Sequence, residues 1–254
     1  MAVLIQILLE VLLEVPAVRT CIWAVVPAFA LLFYVRKKDK LEPESPKLVW
    51  SLFGLGAVAV LLSALLELGG IFLLMRSGLE DSGVLYSLLH WYVVVGLAEE
   101  ASKYLVMRLR TWKNNEFNCL YDGMVYAVAV SAGFALLENI MYLIWYGSSV
   151  VYARAIVSIP AHICFAVLMG AWYSAAKKHA LRGTQQKARF CSVLAILIPA
   201  LAHGMFDHLA SICSTDAGML PFILFVIVMF IAGWIMLRKL SRKDDYFPTQ
   251  ETPS

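Results

Sequence analysis

The sequence predicts an all-α fold, a polytopic transmembrane helical bundle. Apolar residues make up 61% of the 254 positions and charged residues only 15%, a balance outside the range of soluble domains. The apolar residues form long runs separated by short charged loops, which is typical of helices that cross a lipid bilayer. The formal net charge is only +3 and the basic residues form no single patch, so nucleic acid is not expected as a partner.

Seven spans are predicted at about 20 residues per crossing. They lie at 21–36, 48–75, 84–108, 120–146, 151–176, 189–213 and 217–238. Lysine and arginine are concentrated after the first, third, fifth and last spans, whereas the alternate loops carry few. The positive-inside rule therefore predicts a multi-pass protein of the plasma membrane with its C-terminus in the cytoplasm and its N-terminus outside.

The two ends of the chain differ from the predicted bundle at 19–240. In residues 1–18, Gln6, Glu10 and Glu14 recur every four positions and form one polar stripe on an apolar helix, which favours a helix lying in the membrane interface. Residues 241–254 are polar and are predicted to be a disordered cytoplasmic tail. None of the five cysteines belongs to a C-x-x-C pair, so disulfides and thiolate zinc sites are not expected.

Ionisable residues inside the predicted spans are the informative positions, because each costs about 2.5–3.5 kcal/mol in the bilayer unless it has a partner or faces a cavity. The third span carries Glu99 and Glu100 followed by Lys103, at spacings that let the ammonium group reach either carboxylate. One carboxylate can thus be neutralised, and the second should exchange protons near neutral pH, as a general base requires. A structural ion pair is the alternative, although one glutamate would suffice for it.

Two further glutamates lie in spans. Glu138 lies deep in the fourth span, where it could belong to a catalytic group, cap a polar network or line a proton path. Glu67 in the second span has no polar neighbour in sequence, and we assign it a structural role.

The fifth and sixth spans contribute histidines. His162 lies in the fifth span, which begins near Arg154, and the sixth carries His203 and Asp207 on one helix face. At 1.5 Å rise per residue, His162, His203 and Glu99 all fall in the middle half of the membrane. A common polar cavity is therefore possible, and we expect a carboxylate oxygen of the glutamate pair within about 5 Å of a histidine ring nitrogen.

Four motifs, in order along the chain, together resemble the PrsW family. They are EExxK (Glu99, Glu100, Lys103), GFALLEN ending in Glu138 and Asn139, Arg154 followed by His162 and Gly170, and HGMFD from His203 to Asp207. Each motif alone is weak, but each stands in its expected span. The family looks distantly related to the CAAX prenyl endopeptidases.

The resemblance implies an intramembrane endopeptidase that cuts membrane-anchored, single-pass proteins, such as anti-sigma factors in regulated proteolysis. It further implies that Glu99 and Glu100 activate water and that His162 and His203 are catalytic. Lys103 would tune the glutamates, Asp207 would orient His203 or help hold the oxyanion, and Glu138, Asn139 and Arg154 would support the site.

Two cofactor interpretations follow from the same residues. His162, His203 and Glu100 could bind Zn²⁺ and leave a fourth position for water. The sequence has no HExxH motif, however, and the CAAX relatives suggest a metal-free alternative in which glutamate and histidine polarise the water. We prefer the metal-independent glutamate mechanism. From other classes, a proton-coupled carrier and a non-catalytic scaffold of the same fold are the competing hypotheses.

Overall fold

The computed structural model describes residues 16–81 and 83–247, and in them the chain forms a bundle of seven helices. The helices are α1 (Pro16–Arg36), α2 (Pro46–Arg76), α3 (Val84–Leu88, Leu89–Leu97 and Ala98–Thr111 in succession), α4 (Asp122–Tyr146), α5 (Ser148–Ala153, Arg154–Ser158 and Ile159–Leu181 in succession), α6 (Gln185–Ile212) and α7 (Asp216–Arg242). The middle segments of α3 and α5 are π-helical. The all-α prediction is confirmed.

Six of these helices are long and apolar enough to cross a membrane, namely α1, α2, α4, α5, α6 and α7. Their outer surfaces carry large apolar side chains such as Leu65 and Leu73, each more than two-thirds exposed, which lipid tails can cover. α3, which was predicted to be the third span, is not one of these six helices. It holds the charged motif and packs inside the bundle against α2, α4 and α6. The chain is a multi-pass membrane protein.

The helix ends follow from local chemistry. Ser45 caps α2 by accepting a hydrogen bond from the amide of Leu48 at 3.3 Å, and Pro46 occupies the first turn, where its missing N–H is no loss. Gly147 ends α4 with a φ of +77°, a conformation that favours glycine. The predicted spans left residues 147–150 as the connection between these two helices. Because α5 begins at Ser148, Gly147 alone connects them.

The loops that are rich in lysine and arginine lie at one end of the bundle, which we call the basic face. The Asn118 amide donates to Glu42 at 3.2 Å, and the Ser241 hydroxyl donates to the carbonyl of Lys38 at 2.7 Å. These contacts join the loop after α1 to the loop after α3 and to the last turn of α7.

The chain after α7 differs from the predicted disordered tail as far as residue 247. The amide of Phe247 donates to the carbonyl of Asn118 at 2.7 Å, and the amide of Leu120 donates to the carbonyl of Asp245 at 3.0 Å. The Phe247 ring is buried edge-on against Phe117. One apolar anchor in a polar stretch therefore holds this segment on the basic face. Residues 248–254 and residues 1–15 of the predicted interfacial helix lie outside the described residues, and residues 16–18 belong to α1.

Candidate active site

Lys103 joins the two glutamates of α3 in a buried group. Its ammonium nitrogen lies 3.0 Å from Glu99 Oε2 and 2.7 Å from Glu100 Oε1. It also lies 3.2 Å from Nδ1 of His162 on α5 and 4.0 Å from the ring centre of Phe134 on α4. The side chains of Glu99, Glu100 and Lys103 are at most 7% exposed. One buried ammonium group thus contacts both carboxylates and offsets one of their two charges.

His203 on α6 bridges this group to Asp207. Its Nδ1 lies 3.0 Å from Glu100 Oε1 and 3.8 Å from Glu99 Oε2, while its Nε2 lies 3.2 Å from Asp207 Oδ2. The expected distance of about 5 Å between a glutamate oxygen and a histidine nitrogen is therefore confirmed. Because both ring nitrogens face carboxylate oxygens, a doubly protonated ring would donate from both of them.

His162 on α5 is held in the same way by Glu138. Its Nε2 lies 2.9 Å from Glu138 Oε2, and the Arg154 guanidinium lies 2.8 Å from the same oxygen. Since the Lys103 ammonium faces Nδ1 and can only donate, Nδ1 should carry the lone pair and Nε2 the proton. The sequence motifs that contain Glu138, Arg154 and His162 therefore converge on one chain of contacts.

Close helix packing brings α6 to α3. A Cβ atom on Gly204 would lie 2.7 Å from the Tyr92 Cα, and one on Gly96 would lie 2.7 Å from the Ala200 carbonyl oxygen. Glycine at both positions lets the backbones approach and places His203 beside the glutamates. The π-helical turn Leu89–Leu97 lies just before the pair, and such turns shift the register of the helix that follows them.

A cavity of about 760 Å³ adjoins this group. Glu99, His162 and His203 line the cavity, whereas Glu100 and Lys103 do not and lie behind them. Of the two glutamates, Glu99 is therefore the one placed to meet a water molecule or a substrate.

The cavity also shows one residue whose role the sequence did not indicate. Glu67, assigned a structural role above, lines the cavity from α2 together with Ser63, one turn before it. Their spacing of four residues, which puts two polar groups on one face of an apolar helix, was the available signal.

Asn139 is not part of the group. Its amide donates to the carbonyl of Ala24 on α1 at 3.0 Å, and the side chain is fully buried. Although it follows Glu138 directly, the helix turns it about 100° away. Asn139 thus joins α4 to α1, and the supporting role predicted for it in the site is not what its contacts indicate.

The four central side chains form a potential metal-ligand set. Glu99, Glu100, His162 and His203 each offer one ligand atom, and these atoms all lie within 4.8 Å of one another. Each histidine also contacts a carboxylate through its Nε2 atom: His162 contacts Glu138, and His203 contacts Asp207. This arrangement is typical of metal-binding histidines.

Comparison with known proteins identifies the family. A family model described as PrsW family intramembrane metalloprotease matches residues 44–234. Protease PrsW of Clostridioides difficile (strain 630) is 32% identical over 225 residues, which cover 86% of this chain and 89% of the relative. Protease PrsW of Bacillus subtilis (strain 168) is 30% identical over 220 residues, or 86% of this chain and 92% of the relative. No solved structure matches the chain. The chain therefore belongs to the PrsW family, a family of intramembrane proteases.

Proposed function

We propose that this protease hydrolyses peptide bonds of membrane-anchored, single-pass proteins, with Glu99 as the base that activates water. One observation carries the proposal: Glu99 lines the cavity while its carboxylate lies 3.8 Å from His203 and 3.0 Å from Lys103. A general base has to be within reach of a water molecule and close to groups that stabilise developing negative charge.

The remaining side chains have separate roles in this mechanism. Glu99 takes a proton from water as the oxygen attacks the substrate carbonyl, and it returns that proton to the leaving amine. His203, oriented by Asp207 through Nε2, donates from Nδ1 to the oxyanion in exchange for its contact with Glu100. Glu100 is fully buried and positions Lys103 and His203 through the contacts described above. Glu138 orients His162 in the same way as Asp207 orients His203.

The residues present also fit a zinc ion. Glu99, Glu100, His162 and His203 would hold it through one atom each, and one buried Glu100 oxygen has no hydrogen-bond partner. When bound, Zn²⁺ would act as a Lewis acid and ease deprotonation of water.

The Lys103 ammonium already contacts three of these four side chains. It therefore competes for the same ligand atoms, and this contact supports the metal-independent mechanism that we prefer.

The substrate is proposed to reach the site along the cavity from the C-terminal end of α4. The cavity wall includes Trp145 and Tyr146 there, each about 60% exposed. A stretch of substrate backbone can be hydrolysed only where it is not helical, because the carbonyl carbon must be open to attack.

Anti-sigma-factor-like proteins with one span are the substrate class that we propose.

The basic face is proposed to lie in the cytoplasm of the cell, which places the C-terminus there. The grouping of lysine- and arginine-rich loops at one end of the bundle supports this orientation.

Cleavage by purified protein tests the proposed function. The protein in detergent is incubated with a panel of single-pass substrates, and mass spectrometry locates the cut bond. We expect a cut at or near the membrane segment, lost in His203→Ala and kept in Glu80→Gln, a control in an exposed loop. Equal cleavage by wild type and His203→Ala would contradict the proposed site, and a chain that cuts none of a broad panel would favour the scaffold alternative.

A further inference from the structure

The cavity beside the catalytic group carries one carboxylate that the proposed mechanism does not use. Glu67 of α2 is partly exposed and lines this cavity. The other three carboxylates on the cavity wall each lie within 3.2 Å of a basic side chain: Glu99 of Lys103, Glu138 of Arg154 and Asp207 of His203. Of the cavity carboxylates that the structure describes, only Glu67 has no ion pair.

The polar neighbour of Glu67 on α2 does not replace a basic partner. Ser63 lies on the same helix face, and its hydroxyl donates to the carbonyl of Val60 at 3.0 Å. A hydroxyl can also donate to a carboxylate, but it leaves the negative charge in place. Since α2 is a candidate membrane span, a carboxylate on its cavity side is costly unless a cation shares the cavity. The missing cation can be supplied by a ligand.

The packing of α2 on α3 places Glu67 at nearly the depth of Glu99. A Cβ atom on Gly70 would lie 2.9 Å from Val94 Cγ1, so these two residues are level in the bundle. Toward the basic face, Glu67 is three residues from Gly70 and Glu99 is five residues from Val94. At about 1.5 Å per residue, their depths differ by about 3 Å. Because side chains tilt toward the N-terminus of their helix, the two carboxylates lean toward a common level.

We propose that Glu67 is a specificity-determining residue, which binds a lysine or arginine side chain of the substrate close to the scissile bond. A substrate whose carbonyl carbon lies beside Glu99 presents its neighbouring side chains at about the depth of Glu67. The cavity of about 760 Å³ has room for one of them. A basic side chain is itself costly inside a membrane, and pairing with Glu67 offsets the cost of both charges.

This inference rests on the proposed function and adds to it the kind of side chain that the substrate carries. Glu67 does not belong to the group of Glu99, Glu100, His162 and His203 whose ligand atoms lie within 4.8 Å of one another. Its proposed role is therefore separate from activation of water and from any metal held by that group.

Cleavage of paired substrates tests the inference. In a single-pass substrate that wild type cuts, each residue beside the scissile bond is replaced in turn by lysine or by methionine. We expect lysine at one position to raise kcat/KM about tenfold or more over methionine, as an added bond between charged groups does. Glu67→Gln should remove this preference, and Glu67→Lys should reverse it in favour of glutamate. Ser63→Ala, which alters the same helix face but no charge, should keep the preference for lysine.

Binding to an inactive variant separates this inference from the proposed function. Glu99→Gln protein is titrated with labelled membrane-spanning peptides that carry lysine or methionine at each position in turn. The same titration is made with the double variant Glu67→Gln/Glu99→Gln. Tighter binding of a lysine peptide, lost in the double variant, supports the inference even if wild type cuts no substrate, a result that would count against the proposed function alone.

Two results would overturn the role of Glu67 in specificity. Equal affinities and equal cleavage rates for lysine and methionine would show that the cavity does not select a basic side chain, while water activation by Glu99 would stand. An equal loss of cleavage of both substrates in Glu67→Gln would assign Glu67 to the reaction itself.

Discussion

At the scale of single residues, the two adjacent glutamates of α3 have different environments. Glu99 lines the cavity, while Glu100 is fully buried and contacts both Lys103 and His203. The sequence indicated the pair and its lysine, because helical spacing alone brings them together. The sequence could not show which of the two glutamates faces the cavity, because the direction of each side chain depends on how α3 packs against α6.

Lys103 gives a prediction at this scale that separates the two cofactor interpretations. Lys103→Met keeps most of the apolar side chain but removes the ammonium group, leaving two buried carboxylates with His203 as their remaining partner. We expect a loss of about 3–5 kcal/mol of stability without metal. If the site binds zinc, the freed ligand atoms should also raise zinc affinity, measured as metal content after dialysis and as the shift of the unfolding midpoint with zinc.

The matched control for this variant is Lys177→Met, in which the lost ammonium contacts the carbonyl of Trp112 outside the active site. It should leave zinc affinity unchanged. Lys103→Met protein that is as stable as wild type would contradict the role of Lys103 as the counter-ion of the pair.

At the scale of helices, the crossing of α3 and α6 sets the distance from His203 to the glutamates. Gly204→Ala would place a methyl group 2.7 Å from the Tyr92 Cα, so the helices must separate. We expect a loss of about 1–3 kcal/mol of stability and a fall in the cleavage rate of at least about tenfold, since misplacement by 1 Å can cost a hundredfold. Rates and unfolding midpoints measure both effects.

Gly54→Ala is the control for the helix crossing. Nothing lies within 4 Å of a Cβ at Gly54, so alanine there should be neutral or slightly stabilising because it favours the helix. If Gly204→Ala cleaves substrate as fast as Gly54→Ala does, the close crossing does not position His203.

The loops of the basic face give a prediction for pH. The pKa of Asp39 is about 6 and that of Glu44 about 9, both raised mainly by burial. The folded state therefore holds protons that the unfolded state has released above about pH 4, and stability falls as pH rises. We expect the unfolding midpoint to fall from about pH 4 to 6 through Asp39 and Glu44 together, and on toward pH 9 through Glu44.

Charge-neutral variants test this pH dependence. Asp39→Asn should flatten the part of the fall below about pH 6, and Glu44→Gln should reduce the fall from about pH 4 to 9, when midpoints are measured across the range. Apart from the effect of burial, the backbone amide of Glu44 and the charge of Arg36 favour ionisation of Asp39, whereas the charges of Asp244 and Glu42 oppose it. A midpoint that rises over this range in wild type relative to both variants would contradict the assigned direction.

At the scale of the whole molecule, the sequence predicted the class of fold and most of the residues that the fold brings together at the candidate site. Long apolar runs sufficed for the bundle, and the scarcity of intramembrane charge made Glu138, His162 and His203 stand out, all of which contact the central group or one another. These signals are local or compositional, so one sequence can supply them.

Features that depend on long-range packing were not predicted. Glu67 lines the cavity because α2 and α3 form walls of the same cavity. Asn139 contacts α1 instead, although Glu138, its neighbour in sequence, belongs to the site. Phe247 packs against Phe117 at the basic face. The polar residues that surround Phe247 in sequence did not indicate this contact. Each case is decided by a partner more than 25 residues away.

The central claim is that Glu99, on the cavity wall, activates the water that attacks the substrate. The most direct test is the cleavage rate of Glu99→Gln on a single-pass substrate that wild type cuts, with unfolding midpoints to show that both are folded. Our account predicts a fall of about 10²–10⁴-fold, with Glu80→Gln cutting at the wild-type rate. Folded Glu99→Gln that cuts within about threefold of wild type would contradict the account.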